Sequence, residues 1–277
     1  MDKDKRESQK MSGLFEIEKL HEKVWVFKNA FSMGNDMIKY YQNNFPDDWI
    51  GWYGFGSHIL IPLPGRRYES FPTQEEWDLL INDVEDEKAY NVYVKELMQN
   101  FYDATKKYCE ELNVDLGNWC WQSIDIACYK DGFGVNEKQG MNYHTDFQEE
   151  RKDEPGYKFG ITSLFYLNDD YDGGGIRFII LNDDRTELLE SFSYKPSAGD
   201  ILVFPSRHPF YHSSDIAKNG IKHLVRTYWR YEFDGTQEFL EERSKYSEED
   251  WEPILKERQK SKSLEVGQIL NRWNDEV

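Results

Sequence analysis

Basic residues are in short supply. Lys and Arg number 34 against 52 Asp and Glu, for a formal charge of −18. A protein that grips nucleic acid through its phosphates needs a cationic face. No Lys/Arg cluster in this chain offsets the acidity, so neither nucleic acid nor an anionic membrane surface is expected as a partner. Long apolar runs are also missing. None approaches the roughly 20 residues that a bilayer-crossing helix requires, and the opening "MDKDKRESQK" lacks the apolar stretch of a signal peptide. Cysteine is rare. Cys109, Cys120 and Cys128 are odd in number and have no ligand-type spacing, which predicts buried free thiols in a reducing compartment and hence a cytoplasmic location. Histidine is down to six, so the placing of each one carries weight.

What the chain does have is aromatic bulk. Phe, Trp and Tyr make up 16% of the 277 residues, enough for a proper core and against wholesale disorder. Residues 1–12 are polar and expected to be disordered. A main domain is expected over 13–235, with helical and mixed support over 13–117 and a β-core over 118–235. A helical extension is expected over 236–277. "KVWVFKNAFS" reads as a first strand, with Ser32 as the cap of a following helix. "WIGWYGFGSHILIPLPGRRY" mixes Gly, Pro and aromatics and predicts an irregular loop or short strands. The stretch from "TQEEW" to "CEEL" is helical in character, and Val94, Leu97, Met98, Phe101, Tyr108 and Leu112 form a core-facing stripe.

From residue 118 the period changes to short β-branched and aromatic runs separated by Gly, Asp, Asn or Pro turns: "WQSIDIACYKDG", "YKFGITSLFYLND", "GGIRFIILND", "LLESFSYKPSAGD", "ILVFPS" and "IKHLVRTYWRYEF". Several such strands in a row predict a sandwich or jelly roll, mainly β with flanking helices. Past residue 234 the helical pattern returns. Ser247 is placed to cap "SEEDWEPILKERQKSK", where Pro253 fits near the first turn. Val266, Ile269, Leu270 and Trp273 form an apolar stripe, which must bury against this chain or another.

The chemistry gathers in "GMNYHTDFQEE". His144 and Asp146 stand two apart, and in an extended segment both would point to one face. Alone, this is either a hydrogen-bonded pair or two metal ligands. About 65 residues on, "FPSRHPFYH" supplies His212, and Lys222 follows ten positions later in "NGIKH". Two histidines and a carboxylate on one face of an octahedron suit non-haem Fe(II) with open positions. A cation deeper in the fold suits the far carboxylate of a keto-acid cosubstrate.

With these residues the sequence resembles the Fe(II)/2-oxoglutarate-dependent dioxygenases, in particular their prolyl-hydroxylase-like branch. The resemblance covers about 118–233 and rests on "IACYKDGFG…HTD", "ITSLFYLNDDYDGGGIRF", "FPSRHPFYH" and "NGIKH". It implies a double-stranded β-helix (cupin-like jelly roll) buttressed by N- and C-terminal helices. It also implies His144, Asp146 and His212 as metal ligands, with Lys222 anchoring 2-oxoglutarate and Tyr129 and Tyr166 touching it. Arg226 shares the strand face of Lys222 and is the alternative anchor. The implied cofactors are Fe(II) and 2-oxoglutarate, with ascorbate as a candidate reductant. The implied reaction uses O2 to hydroxylate a C–H bond and yields succinate and CO2. A carboxylate at Asp146, rather than a small residue, favours hydroxylation over halogenation.

The substrate implied is a peptidyl proline or another protein side chain, with a free amino acid or small metabolite as the alternative. From another class, a non-turning-over metal and 2-oxoglutarate sensor remains open, as does the oligomeric state. Arg177 is either a substrate contact or one half of an ion pair. Asp125 either lines the cavity or is simply solvated. The glycine-rich loop between Tyr129 and His144 is either a lid or a passive insertion. His208 is expected in a turn, and His223 on the face opposite Lys222.

Overall fold

A computed structural model of the chain describes residues 15–52, 56–83, 85–135, 139–147, 156–233, 241–257 and 273. The chain runs through β1 (Glu16–His21), β2 (Val24–Lys28), α1 (Gly34–Asn44), β3 (Ile50–Trp52) and β4 (Gly56–Tyr68). Helices α2 (Gln74–Asn82) and α3 (Val92–Leu112) follow, then β5 (Trp119–Tyr129) and β6 (Gly156–Tyr166). The rest is β7 (Asp172–Gly173), β8 (Ile176–Leu181), β9 (Leu188–Tyr194), β10 (Ile201–Pro205), β11 (Phe210–Ser214), β12 (Ala217–Lys218) and β13 (Lys222–Phe233).

Strict alternation sorts these strands into layers. In β2, Trp25 and Phe27 join a core shared with the helices, while Val24 and Val26 face the other way into a second core. Val225 and Leu224 in β13 divide in the same manner, as do Val203 and Leu202 in β10. A strand buried on both faces must be apolar at nearly every position, which is why "VWVF" and "ILVF" read as continuous runs. The large sheet has the order β1-β2-β10-β6-β13-β5-β4-β3, and a three-stranded sheet β11-β8-β9 stands opposite. The second core, with Ile176, Phe178 and Phe204 in it, fills the space between the two sheets. This is a jelly roll with helices packed on the outer face of its large sheet.

Several expectations need correction. Strand β1 precedes the expected first strand and pairs with it antiparallel. Ser32 does not cap α1: Met33 holds that position without a side-chain hydrogen bond. "GSHILIPLPGRRY" is one long strand, β4, whose register against β5 slips between Pro62 and Arg66. Beyond its first three residues β4 is paired only with β5, and such an edge accommodates proline that an inner strand would reject. The helical region from Thr73 splits in two. Thr73 and Glu76 form a reciprocal capping box at α2, and Asn91 caps α3. The stripe Val94, Leu97, Met98, Phe101 and Tyr108 is buried as expected, and Leu112 is half-buried.

In the C-terminal region a helix spans 248–257, with Ser247 Oγ accepting from the Asp250 amide at 3.1 Å. Trp273 is buried; Val266, Ile269 and Leu270 lie outside the described residues, as does the whole of 1–12. All three cysteines are free thiols, Cys109 and Cys120 buried and Cys128 half-buried. Among the described residues no helix is long and apolar enough to cross a membrane.

Candidate active site

His144 lies outside any strand but makes a single antiparallel bridge with His212 of β11. Their amides and carbonyls exchange hydrogen bonds at 3.0 and 2.9 Å. This pairing closes the gap of more than sixty residues between "HTD" and "FYH" and sets the imidazoles 4.3 Å apart, centre to centre. The Asp146 carboxylate stands 3.7 Å from His212 Nε2. One ligand atom from each of His144, Asp146 and His212 falls within 4.8 Å of the other two.

Two of the three are oriented from behind by hydrogen bonds, and the third is buried. His144 Nδ1 lies 2.9 Å from the Asn142 carbonyl; donation there leaves Nε2 as the free lone pair. Thr162 Oγ1 donates to Asp146 Oδ2 at 2.7 Å and lies 2.8 Å from Ser206 Oγ. Burial pushes His212 down to about 3, with His144 adding to the shift and Asp146 opposing it. A neutral imidazole is the form that binds a metal. His208 sits in the turn before β11, 4.0 Å from Asp183, and takes no part in the cluster.

The three donors stand along a narrow cavity between the sheets, and Lys222 lines it with them. The alternation of β13 turns Lys222, Leu224, Arg226 and Tyr228 all into this space. Lys222 is 2% exposed. Its Nζ donates to the Gly174 carbonyl at 2.8 Å and to Ser214 Oγ at 3.0 Å. The Tyr129 and Tyr166 rings flank it at 5.1 and 5.4 Å. Burial pushes its pKa down to about 7, with Lys195 adding and Asp215 opposing. Tyr129 is pushed up to about 12 by burial and Tyr166 well above its usual value, so both stay as phenols.

Arg226 differs in kind. Its guanidinium is salt-bridged to Asp125, which also meets His58 Nδ1 at 3.0 Å. Burial works against that charge, but Tyr228, Tyr129 and Asp125 outweigh it and raise the pKa. Asp125 is therefore a partly buried ion-pair member rather than a solvated acid. Arg177 pairs with Asp215 at 2.6 Å and is not among the residues lining the cavity. His223 is buried on the opposite face of β13 from Lys222. The described part of the glycine-rich loop is laced to residues 214–217. Gly132 donates to Ala217 at 2.8 Å and Gly140 to Ser214 at 2.7 Å. Its residues 136–138 lie outside the described set.

One contributor escaped the sequence, and a second was placed on the right strand face without a role. Thr162 looked like an ordinary strand residue, and only the pairing of β6 beside β10 brings it under Asp146. Tyr228 lines the cavity and stacks on Phe159 at 4.4 Å, with the Arg230 guanidinium 4.6 Å from the same Phe159 ring. The period-two pattern after Lys222 was the available signal for Tyr228.

Residues 124–231, the stretch that carries all three donors and Lys222, match the family model of the 2OG-Fe(II) oxygenase superfamily. Over that stretch the chain is similar to the 2OG-Fe(II) oxygenases. That family uses Fe(II) and 2-oxoglutarate, and the donor set found here suits the metal: two imidazoles and one carboxylate, each hydrogen-bonded or desolvated into its ligating form. No curated protein matches the chain. Among solved structures it is similar to a prolyl hydroxylase from Trichoplax adhaerens, in complex with a hypoxia inducible factor oxygen degradation domain peptide fragment. That match has 13% identity, covers 76% of this chain and 84% of that one, and has a TM-score of 0.46. A Pseudomonas putida prolyl-4-hydroxylase is 14% identical over 76% and 92%, with a TM-score of 0.45. A 2OG-Fe(II) oxygenase family oxidoreductase from Burkholderia pseudomallei is 11% identical over 80% and 96%, also at 0.45.

Proposed function

We propose that this protein is a dioxygenase that hydroxylates a C–H bond of a protein or peptide, with a prolyl residue as the leading candidate. One observation carries the reading: three metal-type donors converge in a cavity that also holds a buried lysine amine, whose hydrogen-bond partners among the described residues are neutral oxygens. His144, Asp146 and His212 would hold Fe(II), and Lys222 would take the far carboxylate of 2-oxoglutarate. When bound, metal and cosubstrate together supply the oxidation of a C–H bond by O2, with succinate and CO2 as coproducts.

The protein's own residues bind, orient and exclude water. Thr162 holds the Asp146 carboxylate in place, and Asn142 fixes the His144 ring. Leu164, Ile176 and Leu224 line the cavity with apolar surface, which strengthens an ion pair made at Lys222. Arg226 is engaged by Asp125 and shapes the wall; this favours Lys222 as the anchor. The prolyl assignment rests on the sequence motifs and on the flat ring of Tyr228, which lines the same cavity as Asp146 and offers a pyrrolidine ring a surface.

The test is succinate formation from 2-oxoglutarate with Fe(II) and O2, with mass spectrometry of a peptide library for the gain of one oxygen. His144→Ala, Asp146→Ala and His212→Ala are each expected to abolish turnover while leaving the circular dichroism spectrum intact. His208→Ala should keep it. Activity retained without His212 but lost without His208 would overturn the ligand set. Tight metal binding with no succinate under any substrate would make the site a sensor instead.

A further inference from the structure

The two proposed ligand histidines are each preceded by a tyrosine, and alternation sends both tyrosines the other way. Tyr143 and Tyr211 are 2% and 0% exposed. They form a small cluster of their own with Ile179, Leu181 and one residue from far outside residues 124–231, Trp273. The register explains the arrangement. His212 lies opposite Phe178 and Tyr211 opposite Ile179, so His212 faces the inter-sheet core while Tyr211 faces outward. Trp273 is 5% exposed and belongs to this cluster, on the outer side of the bridge whose inner side presents the imidazoles. Leu188 of β9 packs against the same group, and Arg185 Nε donates to Tyr211 Oη at 2.6 Å.

We propose that Trp273 is a positioning residue for the metal site, a clasp that holds the His144 and His212 segments in ligating register through Tyr143 and Tyr211. The inference rests on the ligand set proposed above. Trp273, the one described member of the expected apolar stripe, thereby has its partners within its own chain. The physical ground is that a single β-bridge is a short pairing, and the imidazoles must converge within tenths of an ångström on one ion. Packing both tyrosines into one buried cluster with Trp273 restricts sliding of one segment past the other. Supporting shells of this kind typically carry about ten- to a hundredfold in metal affinity. Linkage makes the effect reciprocal: metal bound inside must tighten the docking of Trp273 outside by the same factor.

The experiment is a Co(II) titration of the full chain, followed by visible absorption, with hydrogen exchange at the His144 and His212 amides measured in parallel. Trp273→Ala is expected to weaken Co(II) binding at least about tenfold and to speed exchange at both amides, and Trp273→Phe should restore most of the loss. Trp251→Ala removes another buried tail indole, one that stacks on Tyr246, and should leave affinity unchanged. If Trp273→Ala does not fold, Leu188→Ala thins the same cluster from β9 and should reproduce the weakening in smaller measure. Wild-type affinity in folded Trp273→Ala, or an equal loss in Trp251→Ala, would overturn the clasp while leaving the metal site standing. Failure of the wild-type chain to bind Co(II), with no change on His144→Ala, would remove both.

Discussion

Lys222 shows how one residue's surroundings set its use. A buried ammonium with two neutral oxygen partners is held near the edge of ionisation, down at about 7. A carboxylate arriving beside it would stabilise the charged form and raise that value. At pH 8 the empty site is therefore mostly neutral and the filled site charged, so 2-oxoglutarate binding should take up close to one proton. Calorimetry in buffers of different ionisation enthalpy reads this directly, and Lys222→Arg should abolish the uptake because arginine stays charged throughout. Lys222→Ala should raise the 2-oxoglutarate requirement by about ten- to a hundredfold, since a hydrogen bond to a charged group is worth about 1.5–3 kcal/mol. Arg226→Ala should change it far less. Thr162 acts one step back from the metal. Thr162→Val keeps the shape but removes the donor to Asp146, and metal affinity measured by titration should fall about tenfold or more.

At the level of elements, local chemistry decides what a sequence discloses. Thr73 and Glu76 close a reciprocal cap on α2, and Thr73→Ala should cost about 1 kcal/mol in urea unfolding. The inner strands were legible because burial on both faces leaves an unbroken apolar run, as in "ILVF". Strand β4 was not, because Pro62 and the glycines on either side are read as breakers, and only its place at a sheet edge tolerates them. β11 was hidden for another reason. "FYHSS" is polar at three of five positions, yet every residue in it is buried, since its serines and histidine serve the cavity rather than solvent. The candidate ligands stood out through their spacing taken together with the family resemblance. Thr162 was not, because a supporting hydrogen bond across two strands leaves no mark along the chain. Ser32 misled because a capping residue type is common in turns, and here the chain needs one more residue before the helix begins.

For the molecule as a whole, the weight of the fold lies on the helix side of the large sheet. Trp77 of α2 packs within 4.8 to 6.0 Å of Trp121, Trp229, Tyr102 and Phe101, and its Nε1 donates to the Met98 carbonyl. Trp77→Ala should cost about 3–5 kcal/mol, a large part of the 5–15 kcal/mol of a typical domain, read as a shifted denaturant midpoint. The order of the large sheet has a consequence for biosynthesis. Its last strand to leave the ribosome, β13, is inserted between β6 and β5, and no other strand in the sheet order joins those two halves. Until residues 222–233 emerge, the nascent chain holds two unconnected half-sheets, with the donors on one part and the pocket's cation not yet made. A chain ended before residue 222 would therefore carry the three candidate donors without the strand that joins the two half-sheets around them.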